Sequence, residues 1–228
     1  MRLVGILGGM GPEATVLLMQ KVIDRRAGGD DAGHVPLLVH QNPQVPSRIA
    51  ALIEGTGESP APVLAAMARA LEGAGARALA MPCNTAHAYA GAIRAAAGVP
   101  FLDMIGLSTA RLAGQGRRIG MLASPAVRLA GVFDDAFAAA GLTAIWPADD
   151  APVLALIRAV KAGRTGAEER AALTDAARGL VAQGADHLAI ACTELSMLAP
   201  GLPEGVDWTD TLDCLADAIV AFSTAAGD

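Results

Sequence analysis

Apolar residues along this 228-residue chain gather in short runs, separated by longer stretches in which Ala and Leu faces alternate with Arg, Glu and Asp faces. The runs, at residues 3–7, 35–40, 77–81, 100–104, 119–122, 143–146, 187–191 and 206–209, have the length and bounding residues of strands. The stretches at 12–27, 60–72, 84–96, 126–140, 152–162 and 167–183 have the helical period, and a last helix is predicted at 213–222. Strand and helix in regular alternation predict an α/β protein with parallel sheets.

The pattern also repeats. Gly75-Ala76-Arg77-Ala78-Leu79-Ala80-Met81-Pro82-Cys83-Asn84 aligns at one constant offset with Gly184-Ala185-Asp186-His187-Leu188-Ala189-Ile190-Ala191-Cys192-Thr193, with Gly, Ala, Leu, Ala and Cys identical. Two weaker echoes flank it: Val4-Gly5-Ile6-Leu7 resembles Ile119-Gly120-Met121-Leu122, and Gly98-Val99-Pro100-Phe101-Leu102-Asp103 resembles Gly205-Val206-Asp207-Trp208-Thr209-Asp210. A duplicated chain is expected: two similar Rossmann-like parallel-sheet domains, residues 1–103 and 104–209, related by a pseudo-twofold axis, with 210–228 returning to the first. Each duplicated run ends in a thiol followed by polar, helix-starting residues. Cys83 and Cys192 are therefore expected at strand tips, where open parallel sheets bind ligands, facing one cleft between the halves. Helix N-termini there are expected to lower a thiol pKa.

Composition narrows the partners. A formal net charge of −6 argues against nucleic acid, which calls for a basic face. No apolar stretch approaches the ~20 residues of a membrane span. The chain enters a strand at once with no basic leader, so a cytoplasmic protein is expected. Three cysteines, an odd number, point to free thiols, and Cys214 beside Leu212 and Leu215 reads as a small buried hydrophobe. No metal site is expected, because His34, His40, His87 and His187 are scattered and lack ligand spacing. Only Lys21 and Lys161 are available to a pyridoxal Schiff base, and no cofactor is expected.

The opening Gly5-Ile6-Leu7-Gly8-Gly9-Met10-Gly11-Pro12-Glu13-Ala14-Thr15 contains a loose G-x-G-x-x-A match. The acids Asp30 and Asp31 precede the next apolar run, whereas a ribose-binding acid closes it, so a tight strand-to-helix turn is favoured over a dinucleotide site. Its amides, at Met10 and Gly11, remain candidates to hold a carboxylate. Cys83 and His87 would share a helical face if a helix begins at Asn84, which leaves a Cys-His hydrolase conceivable. That alternative leaves the matching Cys192 unexplained.

Four motifs in order resemble the aspartate racemase branch of the aspartate/glutamate racemase superfamily: Gly8-Gly9-Met10-Gly11-Pro12-Glu13-Ala14-Thr15, Asn42-Pro43-Gln44-Val45-Pro46-Ser47-Arg48, Met81-Pro82-Cys83-Asn84-Thr85-Ala86-His87 and Cys192-Thr193-Glu194-Leu195. The resemblance implies a cofactor-independent amino-acid racemase of two similar α/β domains, usually a homodimer, with one cysteine per domain acting as acid or base on opposite faces of the α-carbon. It makes Cys83 and Cys192 the catalytic pair and Asn84, Thr85 and Thr193 the neighbours of the α-carboxylate and α-amino groups. Glu194 joins the substrate-binding set, and Arg48 and Lys161 are implied as cations for a side-chain carboxylate. Where such racemases carry a Thr-Gly-Thr turn, this chain reads Ser124-Pro125-Ala126-Val127, so Ser124 alone is left to contact substrate there. Aspartate is the substrate this pattern favours. A glutamate or broad-specificity racemase, a maleate isomerase of the same superfamily, and a non-catalytic binder of an acidic metabolite are the alternatives.

Overall fold

The computed structural model of the protein describes residues 1–26, 30–202, 205 and 207–225. The chain divides into two compact units, Met1–Met104 with the segment from Asp213 onward, and Ile105–Leu212. In the first, strands β1 (Val4–Gly8), β2 (Leu37–Gln41), β3 (Ala78–Ala80) and β4 (Phe101–Leu102) form a parallel sheet of order β2-β1-β3-β4. In the second, β5 (Arg118–Ala123), β6 (Thr143–Ile145), β7 (His187–Ala191) and β8 (Trp208–Asp210) repeat it as β6-β5-β7-β8.

The repeat extends to the register. Gly5 stands opposite Leu79 and Gly120 opposite Leu188, while Leu79 and Leu188 stand opposite Phe101 and Trp208. Physical causes recur with it. A Cβ on Gly5 would lie 2.9 Å from Ala76 Cβ and 3.1 Å from Leu71 Cβ; on Gly120 it would lie 3.0 Å from Ala185 Cβ and 3.1 Å from Leu180 Cβ. These are the same pairs of positions in the two copies. Helix α2 (Ala61–Gly73) and helix α8 (Ala167–Ala182) also end alike. The amides of Gly75 and Ala76 donate to the carbonyls of Glu72 and Leu71, and those of Gly184 and Ala185 to Val181 and Leu180. Each helix thereby closes in a Schellman turn that delivers the chain into the thiol-bearing strand. Every residue of β1, β3 and β7 is buried, as expected of parallel strands covered on both faces.

Helix α1 (Pro12–Asp24) is shorter than the pattern predicts, and Ala27 lies outside the described residues. Residues 84–96 are a 3₁₀ turn, Thr85–Tyr89, followed by α3 (Ala90–Ala96), because the Asn84 carbonyl accepts from His87, three residues on. Helix α4 (Met104–Leu112) was not apparent from the pattern, its Gly106, Ser108 and Thr109 being weak helix formers, and it confines the strand predicted at 100–104 to β4. The single helix predicted over 126–140 is two, α5 (Pro125–Leu129) and α6 (Asp134–Ala140). Gly131, at φ 60°, ends α5 in a left-handed turn in which the Val132 amide reaches back to the Val127 carbonyl. Helix α7 (Ala151–Lys161) precedes α8, the four-residue α9 (Thr193–Ser196) follows β7, and of the strand predicted at 206–209 Val206 lies outside the described residues.

Helix α10 (Thr211–Thr224) carries Asp213, which meets Lys21 Nζ at 2.9 Å and Arg25 Nη2 at 2.6 Å, while Asp217 also pairs with Arg25. The Arg2 guanidinium stacks 3.9 Å from the Phe222 ring centroid. Among the described residues no helix is long and apolar enough to cross a membrane.

Gly120→Ala and Gly5→Ala are each expected to destabilise the chain by about 1–3 kcal/mol, since the added methyl meets the Cβ atoms of residues fixed on a neighbouring turn and helix. Urea unfolding checks this. A change below about 0.5 kcal/mol, as at an unconstrained surface position, would show that the close approach is not needed.

Candidate active site

The candidate residues fall into one set per unit, in segments that follow strands except for Lys161, which ends α7. In the first, the β1–α1 loop is closed by Thr15, whose Oγ1 accepts from the Gly9 amide at 2.9 Å. A Cβ on Gly8 would lie 2.6 Å from Thr15 Cγ2, and one on Gly9 2.4 Å from the Asn42 carbonyl carbon, so these glycines serve close packing of the turn. Met10 is buried in an apolar cluster with Val45, Leu64, Met67, Met81 and Cys83, which brings the glycine loop and the first thiol together. Gly11 stands at the N-cap of α1 without a side-chain cap.

Cys83 is 7% exposed and lies three residues past the end of β3, its amide bonded to the Met81 carbonyl at 2.9 Å. Asn84 beside it is buried and Thr85 half-buried. His87 Nδ1 lies 2.8 Å from the Cys83 carbonyl oxygen, and the Met104 amide donates to His87 Nε2 at 3.3 Å. This pairing selects the neutral tautomer with the proton on Nδ1. Burial, above all, holds the His87 pKa below its usual value. His87 thus turns both ring nitrogens to main-chain atoms and braces the backbone that carries the thiol. The Cys-His hydrolase arrangement is not the one the ring adopts.

Arg48 is half-buried and donates through Nη1 to the carbonyls of Val45 at 3.2 Å and Pro46 at 3.0 Å, so its guanidinium is held within its own loop. Its charge acts on Tyr89, whose phenol is pushed up chiefly by burial and drawn back by Arg48.

In the second unit Cys192 is 6% exposed, follows β7 directly and stands in extended conformation at the N-cap of α9. Its Sγ donates to Glu194 Oε2 at 3.1 Å, and Glu194 Oε1 lies 3.3 Å from Lys161 Nζ at the end of α7. The pKa expectation is corrected here. Burial first, and then the Glu194 carboxylate, push the Cys192 thiol well above the ordinary range, with the Glu194 main-chain amide and then Lys161 opposing. Four residues make too short a helix for its dipole to overcome a carboxylate in contact with the sulfur. Lys161 and Glu194, both assigned by resemblance to substrate, are paired with each other, and neither that pair nor the thiol contact was anticipated. Thr193 is buried at the first turn of α9. Ser124 accepts the Ala126 amide at 3.3 Å and caps α5, with Pro125 in its first turn. Val127 is 1% exposed in the core with Phe133 and Phe137, so the departure from Thr-Gly-Thr serves a helix start. Ser196 Oγ donates to Asp210 at 2.8 Å and thereby ties α9 to the end of β8. Cys214 is buried in α10. Among the described residues no group of three or more His, Cys, Asp or Glu side chains is placed to hold a metal ion.

A family model for Asp/Glu/hydantoin racemases matches residues 7–219. The chain belongs to this racemase family. It is 25% identical to the broad-specificity amino-acid racemase RacX of Bacillus subtilis (strain 168) over 227 residues, covering 96% of this chain and 97% of that protein. It superposes on the aspartate racemase of Picrophilus torridus with a TM-score of 0.84 at 26% identity, over 98% of this chain and 94% of that one. An aspartate racemase homologue from Pyrococcus horikoshii OT3 shares the fold, with a TM-score of 0.78 at 21% identity over 98% and 100% of the two chains. Two four-stranded parallel halves are thus the fold this chain shares with its neighbours.

His87 and His187 both carry pKa values lowered first by burial. Below about pH 6.5 the unfolded chain binds their protons more readily than the folded one, so stability is expected to fall as the pH drops through that value. His87→Gln should lose part of this dependence. Urea midpoints at about pH 7.5 and about pH 5.5 check it. An equal drop in both proteins would show that His87 is not held neutral.

Proposed function

We propose that this chain is a cofactor-independent amino-acid racemase acting on aspartate, with Cys83 and Cys192 as its acid–base pair. The observation that carries this reading is that the two thiols occupy matching places in duplicated halves, each buried after an equivalent strand. Racemisation needs two proton-transfer groups on opposite faces of one carbon, and a duplicated chain is an economical source of such a pair. One thiolate removes the α-proton, and the other thiol gives its proton to the opposite face. Amides and hydroxyls after the two strands, with Asn84, Thr85 and Thr193 the candidates, then stabilise the carbanion through the α-carboxylate. Aspartate is favoured by the name of the Picrophilus relative and by Arg48, a guanidinium suited to bidentate contact with a second carboxylate. The homodimer and the cytoplasmic setting that go with this reading rest on the resemblance and on the sequence.

A second reading, broad specificity among amino acids, is favoured by one observation. Lys161, the other cation expected at the distal carboxylate, is paired with Glu194, and RacX by its name accepts many amino acids.

Incubation of aspartate in heavy water without added cofactor is expected to give α-proton exchange together with racemisation. Cys83→Ala and Cys192→Ala should each abolish both, and Cys214→Ala should leave both intact. Proton NMR and chiral chromatography check this, and near-wild-type turnover by either of the first two variants would refute the two-thiol mechanism.

Arg48→Ala is expected to weaken handling of aspartate by about tenfold to a hundredfold relative to alanine or serine, the worth of a charge-assisted contact of roughly 1.5–3 kcal/mol. Steady-state kinetics on both substrate classes decide between the two readings. Equal losses would assign Arg48 to its loop, and substantial wild-type turnover of neutral amino acids would favour broad specificity.

A further inference from the structure

The thiol of Cys192 is the donor in a contact chain that crosses from α9 to α7: Sγ to Glu194 Oε2 at 3.1 Å, then Glu194 Oε1 to Lys161 Nζ at 3.3 Å. The Glu194 side chain is 11% exposed and that of Lys161 43%, so the carboxylate is shielded and its counter-ion faces water. The Glu194 main-chain amide also bonds the sulfur and favours the thiolate, and Cys192 otherwise packs in an apolar cluster with Leu122, Leu156, Val160, Leu195 and Leu198. The ionisable groups that act on it are Glu194 from its own helix and Lys161 from α7.

A carboxylate in contact with a thiol has a definite effect. It accepts the S–H and repels a thiolate, so it favours the protonated sulfur, and with little water nearby the repulsion is weakly screened. The same carboxylate would be costly to bury alone, and the ammonium at its other oxygen offsets that cost. Cys83, in the equivalent place, is followed at the same spacing by Thr85, which carries no charge. A carboxylate two residues after the thiol is therefore particular to the second half.

We propose that Glu194, held between the Cys192 thiol and the Lys161 ammonium, keeps Cys192 protonated in the resting enzyme, so that Cys192 is the proton donor and Cys83 the base of the first turnover, with Lys161 a positioning residue that acts through Glu194. This rests on the racemase reading above. In that turnover the Cys83 thiolate takes the α-proton, the electron pair stays on the substrate as a carbanion, and the Cys192 S–H bond breaks to protonate the opposite face. The net change in the protein is one proton moved from Cys192 to Cys83. Product thus leaves an enzyme with a thiolate beside Glu194, its less stable form, which regains the resting state by taking a proton from water while Cys83 loses one. Because the two enantiomers are equal in free energy, kcat/KM must be the same in both directions. The inequality of the two forms therefore appears in kcat and KM, which change together between the enantiomers.

The experiment titrates the thiol directly, in the full chain with Cys83→Ser and Cys214→Ser so that Cys192 is the sole cysteine. Iodoacetamide alkylation is followed between about pH 6 and pH 11, and thiolate ultraviolet absorbance reads the same titration where the buried sulfur reacts slowly. Glu194→Gln keeps the shape and an acceptor but removes the charge. It is expected to raise the thiolate fraction at neutral pH by about tenfold or more, one pKa unit downward. Lys161→Met is expected to lower that fraction, and to do so less on the Glu194→Gln background. An unchanged titration in Glu194→Gln, with circular dichroism as in the parent, would overturn the proposal. So would a lower thiolate fraction, which would make Glu194 the base that ionises the sulfur. The titration needs no turnover. Failure of the unmodified chain to racemise would sink the proposed function and with it the donor role of Cys192, leaving the effect of Glu194 on the thiol to the titration, and an unchanged titration in an active racemase would sink only the role of Glu194.

Discussion

The constraint that both halves of this fold share is the missing side chain at Gly5 and Gly120, each on the strand second from an edge and paired on both sides. In each half the bare backbone admits a helix and the turn after it, Leu71 and Ala76 in one copy, Leu180 and Ala185 in the other, to within about the contact limit of a methyl group. With the helix end so placed, the Schellman turn fixes where the next strand starts. The position of Cys83 after β3 and of Cys192 after β7 follows from that start. Interiors at crystal-like density transmit such a constraint along the chain, because neighbours have little room to absorb a shift.

On this common frame the two thiol neighbourhoods differ in kind. Beside Cys83, His87 spans the Cys83 carbonyl and the Met104 amide and so joins the thiol loop to the start of α4. Beside Cys192, a carboxylate two residues on meets the sulfur itself, and its charge is shared with α7. Duplication supplies equivalent positions, and substitution of single side chains then makes them chemically unequal. In the proposed two-thiol reaction, which calls for one donor and one acceptor at the same moment, a carboxylate beside one thiol gives the pair a preferred assignment.

The sequence by itself determined the two α/β halves and the matching places of Cys83 and Cys192 after equivalent strands. Strand length, helical period and one repeated ten-residue motif are local signals, and two similar parallel halves follow from them, whereas the strand order and the register, Gly5 opposite Leu79 and Gly120 opposite Leu188, are read only from the fold. The break of one predicted helix at Gly131, and the helix from Met104, were harder to read because each depends on a balance of weak local preferences. Only the tertiary structure decided which partner each site residue holds. Glu194 meets a lysine from another helix, Arg48 turns to its own loop, Ser124 caps α5, and His87 reaches an amide seventeen residues on. The physical reason is the range of the interactions. Burial patterns repeat every two or three to four residues and so are written in neighbouring letters, whereas the state of a thiol depends on charges within a few ångströms in space, contributed by segments that the sequence keeps apart.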